Sequence, residues 1–189
     1  MVRTFSLMVL LLGAAGPAWA HSGHGGSGFL HPFTGFDHVL AMLGAGLWAA
    51  LLATRRPAAA LLVPAAFMAM MAIGAAAGFA GIKLPLAEAG VLASVFILGG
   101  LVMAAVRVPV AMAMAVVGLF AALHGYAHAS EAPPGDPGSY MLGFLAATAL
   151  LHAVGLGLGW AARRAIGDFG FRALGGLVMA GGALVLAAN

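Results

Sequence analysis

Cysteine is absent from the chain, so no disulfide braces it and no thiolate can hold a metal or act as a nucleophile. Charge is scarce as well: Asp, Glu, Lys and Arg make up 7% of 189 residues, against 63% hydrophobic. With a mean hydropathy of +1.09, the chain lacks the polar residues that a water-soluble domain of its size requires. It reads as an all-α integral membrane protein, a polytopic helix bundle with lipid as its main surroundings. No GxxxxGK[ST] loop occurs, which excludes nucleotide hydrolysis by this chain, and no HExxH zinc signature occurs either. A sequence pI near 10.2 would suit nucleic acid, yet the eight Lys and Arg are scattered at helix ends rather than gathered into a patch. Nucleic acid is therefore not an expected partner.

What is present begins with "MVRTFSLMVLLLGAAGPAWA". Arg3, an apolar stretch from Phe5 to Ala15, the breakers Gly16 and Pro17, and small residues at Ala18 and Ala20 read as a secretory signal peptide over residues 1–20. The alternative is an uncleaved anchor, for which the stretch is short. Residues 21–32 then form a His/Gly-rich tail outside the inner membrane, and residues 33–189 a transmembrane domain. Spans are expected near Phe33 to Thr54, Pro57 to Ala80, Leu84 to Val106, Val108 to Ala127, Ser139 to Ala162 and Phe169 to Ala188, six in all. Charge gives an independent reading of orientation. Arg55, Arg56, Arg107, Arg163, Arg164 and Arg172 fall in alternate connections, and the others carry only Lys83. The positive-inside rule then puts both mature termini in the periplasm of a bacterial inner-membrane protein.

Small residues at helix-packing intervals, Gly74 with Gly78, Gly155 with Gly159 and Gly176 with Ala180, predict close backbone approach rather than hinges. "GLWAALLATRR" and "GLGWAARR" echo one another. Two helices stopping at the same positive boundary would also look alike, so no repeat is inferred.

The few ionisable residues inside the spans carry the chemical argument, because each is costly there and normally faces the bundle interior, a partner or a water-filled path. "HPFTGFDHVLAM" sets Asp37 and His38 about 7 Å below the outer boundary, with Thr34, His38 and Met42 on one helical stripe. In "LHGYAHASE", His124 and His128 are one turn apart, and Glu131 follows on the same face if the helix continues that far. His152 lies about a dozen residues into the fifth span, ~18 Å from the outer edge and slightly beyond the middle of a ~30 Å core. Imidazole, carboxylate and thioether groups in such sets suit a transition-metal cation. Plainer readings stand beside each. His31 can be an interfacial residue, Asp37 can cap a broken helix or pair with Lys83, His152 can bridge helices, Met42 can be packing, and Glu88 can be a boundary carboxylate near Lys83. In the tail, a free amine and imidazole at His21 with His24 nearby can chelate a metal, or can be incidental to a flexible linker.

On these motifs the chain resembles the HupE/UreJ family over nearly its whole length. "HPFTGFDHVLAMLGAG", "LHGYAHASE" and "LHAVGLGLG" carry the likeness, behind a similar signal peptide. It implies a nickel or cobalt transporter that accompanies hydrogenase and urease systems. His31, Asp37 and His38 match the family's first motif, and His124, His128, Glu131 and His152 its later ones. Ala129-Ser130 departs from it, where a glycine is expected before the acidic residue. No tightly bound cofactor is implied; Ni²⁺ or Co²⁺ is the cargo, by secondary or facilitated transport. A membrane-embedded metalloenzyme, with Asp37 or Glu131 as base, and a non-transporting metal-binding accessory of hydrogenase or urease maturation are the rivals. A homo-oligomer is left open, as is the choice among nickel, cobalt, zinc and copper.

Overall fold

A computed structural model describes residues 28–188. The expected signal peptide, and His21 and His24, lie outside the described residues. Six α-helices follow a short 3-10 turn at His31–Phe33, with no strand among the described residues. They are α1 (Phe36–Ala53), α2 (Ala59–Phe79), α3 (Ala87–Met103), α4 (Val110–Ser130), α5 (Pro137–Ile166) and α6 (Phe169–Ala188). Each coincides with an expected span to within a few residues. Five are long and apolar enough to cross a membrane, and α3 is a shorter apolar helix of 17 residues.

Helix α1 forms the axis of the bundle. It carries no charge between His38 and Thr54, its residues from Leu40 to Leu52 are buried apart from Leu43, and it touches all five other helices. The polar side chains at its start are half-buried, His38 at 12% and Asp37 at 25% exposure. The helix starts later than the sequence suggested. Gly35 is its N-cap in an extended conformation, so Thr34 lies outside it and donates its hydroxyl to the His31 carbonyl at 2.7 Å. The predicted Thr34–His38–Met42 stripe thus begins only at His38.

Around this axis, α2 packs most extensively on α4. A Cβ at Gly125 would run into the Met71 carbonyl, and one at Gly74 into the Ala122 carbonyl. Helices α1 and α5 cross at Gly46 and Gly155, where a Cβ on either would stand 3.1 Å from the other's Cα. Without a hydrophobic drive between helices in lipid, such approach supplies the dispersion contacts that hold the bundle. The expected contacts at Gly74, Gly78, Gly155 and Gly159 are found. In α6 the register differs: Gly175 meets the α3 backbone, while a Cβ at Gly176 would only touch Met103 Sδ at 3.7 Å. The two tryptophans of the echoed segments also part company. Trp48 is buried and donates Nε1–H to the Val106 carbonyl at 3.0 Å, whereas Trp160 is exposed.

The arginine-bearing connections meet at one end. Arg107 Nη2 donates to Asp168 Oδ2 at 2.9 Å and Arg163 Nε to Oδ1 at 3.2 Å. Arg107, then Arg163, hold the Asp168 carboxyl below its ordinary range. The start of α1, the end of α4 and the start of α5 converge at the opposite end, where the histidines gather.

A candidate metal path

His31 opens the 3-10 turn at the mouth of the bundle, with Pro32 in its first turn. His31 Nε2 lies 3.0 Å from Glu131 Oε2, across 100 positions of sequence. Helix α4 ends at Ser130, and Glu131 is its C-cap, so the glutamate reaches the mouth from the end of the helix rather than from its face. Hydrogen bonding to His31 is the largest influence on the Glu131 carboxyl and holds it below the usual carboxylate range. One ligand atom each from His31, His128 and Glu131 lie within 4.8 Å of one another, a spacing that one ion can span. In the Ala129-Ser130 pair, where a glycine was expected before the acidic residue, Ala129 is buried and packs against Gly78.

One level deeper, Asp37 Oδ1 accepts the His38 backbone N–H at 2.8 Å and faces His38 Nδ1 at 2.9 Å. His38, not Lys83, is the partner of Asp37; Lys83 and Glu88 are both exposed. A Cβ at Gly35 would stand 2.7 Å from His38 Nδ1 and 3.1 Å from Asp37 Oδ1, so a side chain there would displace this pair. The imidazoles form a file. Ring centroids are 5.1 Å apart from His31 to His128, 4.6 Å from His128 to His38, and 5.2 Å from His38 to His124. Phe144 stacks on His128 at 5.1 Å. Phe67 then lies between His124 at 5.7 Å and His152 at 4.7 Å. His152 is 15 residues into α5, ~22 Å along it, deeper than its sequence suggested because the helix starts earlier at Pro137.

Hydrogen bonding fixes the tautomers. His124 Nδ1 faces the Phe120 carbonyl at 2.9 Å and His152 Nδ1 the Thr148 carbonyl at 2.8 Å. A carbonyl only accepts, so each Nδ1 carries the proton and each Nε2 presents a lone pair. The carboxylate of Asp37 does the same for His38. The Nε2 atoms of His38, His124 and His152, and both ring nitrogens of His128, are buried without a protein partner. Buried polar atoms are ordinarily satisfied, and an imidazole held through Nδ1 with a free Nε2 is the arrangement of a metal ligand. Met42 is buried and accepts from the Thr148 hydroxyl. Phe67, Met71, Phe144, Thr148 and Tyr140, whose ring lies 5.6 Å from that of His31, were not singled out from sequence, where they look like ordinary span residues. Only Thr148, one turn before His152, carried a signal.

Comparison with known proteins gives a family and a relative. The family model described as HupE / UreJ protein matches residues 9–185. A protein of Rhizobium leguminosarum bv. viciae named Protein HupE is 40% identical over 161 residues, which cover 85% of this chain and 83% of that one. No solved structure matches.

Proposed function

Because the chain belongs to the HupE/UreJ family, we propose that it carries a divalent transition-metal cation, nickel or cobalt, inward across the bacterial inner membrane. The observation that carries this reading is the file of buried imidazoles whose Nε2 atoms have no protein partner. His31 and Glu131 receive the hydrated ion at the mouth, where the carboxylate offsets its charge. His128, His38 and His124 replace its water by nitrogen donors, with Asp37 orienting His38. His152, beyond Phe67, is the next station. The ion needs such stations because an apolar core offers no substitute for hydration. The membrane potential favours its entry by ~2.3 kcal/mol per charge per 100 mV. Ligands spread over depth on several elements support transit rather than a resident catalytic metal, which would sit in one closed set. The chain supplies metal to hydrogenase or urease maturation in this reading.

Purified protein in liposomes with an inside-negative potential and a metal-sensing dye tests it directly. Saturable nickel or cobalt uptake is expected, and no uptake above empty liposomes would refute the reading. Orientation follows the arginines: with both mature ends in the periplasm, a reporter active only in the cytoplasm and fused after Asn189 should be silent. A strong signal would require an odd number of crossings.

A further inference from the structure

Among the described residues, five of the six serine and threonine hydroxyls behave alike. Those of Thr34, Thr54, Ser94, Ser130 and Ser139 each donate to the carbonyl three residues earlier. This is the ordinary way a helix satisfies a hydroxyl, above all one in lipid. Thr148, fully buried, departs from it. Its Oγ1 points at two thioethers, Met42 Sδ and Met71 Sδ, each 3.5 Å away. A hydroxyl has one proton, so it serves one sulfur at a time and leaves the other's lone pairs free. Both methionines are fully buried and come from different helices. Met42 lies one turn beyond His38 on α1 and Met71 one turn from Phe67 on α2, while the Thr148 carbonyl holds His152 Nδ1. Thus the same threonine faces two sulfurs with its side chain, donating to one at a time, and holds an imidazole through its backbone carbonyl. His152 Nε2, buried and unpartnered, is an independent sign that a ligand belongs in this part of the bundle.

We propose that Met42 and Met71, presented by Thr148, form an uncharged thioether station between the outer imidazoles and His152, and that it limits passage to thiophilic transition-metal cations. The proposal rests on the transport reading and adds a selectivity element to it. Sulfur suits polarisable ions of the later first row, whereas magnesium, calcium and manganese are held by oxygen and give up water reluctantly. Neutral thioethers also bind weakly, which transit requires, since a tight site in mid-membrane would trap the ion. Were the contact only packing, leucine would fill the methionine sites and valine the Thr148 site without loss.

The test uses the whole protein in liposomes, with equilibrium nickel binding in detergent as the check that each variant folds and keeps its outer imidazoles. In the wild type, a large excess of Mg²⁺ or Mn²⁺ should leave nickel uptake unchanged. Met42→Leu with Met71→Leu, close in volume, should bind nickel like the wild type and pass it about tenfold more slowly. Thr148→Val should lose part of the rate and Thr148→Ser should retain it. If the double variant fails to bind nickel, the single methionine variants decide, each expected to lose about threefold in rate. Wild-type rates in the leucine variants, or equal competition by Mn²⁺ in the wild type, would overturn the station while leaving transport standing. A wild-type protein that passes neither nickel nor cobalt would overturn both.

Discussion

Liposomes carrying His152→Ala should bind nickel as the wild type does and pass it about tenfold or more slowly, whereas His38→Ala should fail at capture. The ring of His152 packs 4.7 Å from Phe67, while His38 is in ring contact with His128 and His124. Loss of His38 removes a nitrogen from the outer group and leaves Asp37 without its imidazole. Raised metal concentration should partly restore uptake there, because mass action refills a weakened site. It should not rescue His152→Ala, whose defect lies after binding. Asp37→Asn should resemble a milder His38→Ala: an amide can still orient the ring but brings no negative charge. Equilibrium binding and initial uptake rates on the same preparations separate these outcomes. If His152→Ala transports normally, or if Asp37→Asn and His38→Ala both bind and transport normally, the two-layer path is wrong and these side chains serve helix packing.

Gly125→Val should abolish the folded protein rather than tune it. A Cβ at that position would run into the Met71 carbonyl and stand 2.9 Å from Ala75 N, backbone atoms that cannot rotate away. Helices α2 and α4 form the most extensive pair in the bundle, and prying them apart by even an ångström forfeits dispersion along the whole crossing. Overpacking in a core costs ~1–3 kcal/mol where side chains can yield; rigid backbone on both sides puts this case at or above that range. The expected result is loss of the monodisperse species in size-exclusion chromatography in mild detergent. Gly157→Val, on α5 with nothing within 4 Å of its Cβ position, is the matched control and should behave as the wild type. A stable, nickel-binding Gly125→Val protein would show that α2 and α4 do not cross as described.

Much of this architecture was legible in the sequence because lipid leaves few alternatives: a long apolar run must be a helix, and a rare ionisable group within it must face inward. His38, His124 and His152 were conspicuous on that ground alone. The contacts between them were not. The pairing of His31 with Glu131 spans 100 residues and depends on a turn that Pro32 and Gly35 shape. Phe67, Met71 and Phe144 differ in no local way from neighbours that meet lipid, so their place beside the histidines is set only by how α2 and α5 are rotated about their axes. The same rotational phase explains why Gly175 rather than Gly176 meets α3. Helical periodicity sets which residues share a face but not which face a neighbour takes.

The central position of α1 has a consequence for how the protein is made. The helix most enclosed by its neighbours is the first of the six to leave the ribosome, and it enters the bilayer before the other five exist to enclose it. Its main partner, α5, through the Gly46–Gly155 crossing, ends at Ile166, 113 residues after α1 ends at Ala53, a wait of roughly 5–25 s at translation rates of about 5–20 residues per second. During that interval Asp37 and His38 face lipid headgroups or the insertion machinery rather than imidazoles. Their position at the start of the helix lets them stay near the water boundary until α4 and α5 arrive, so the same placement that would open the proposed metal path lets its first half survive assembly.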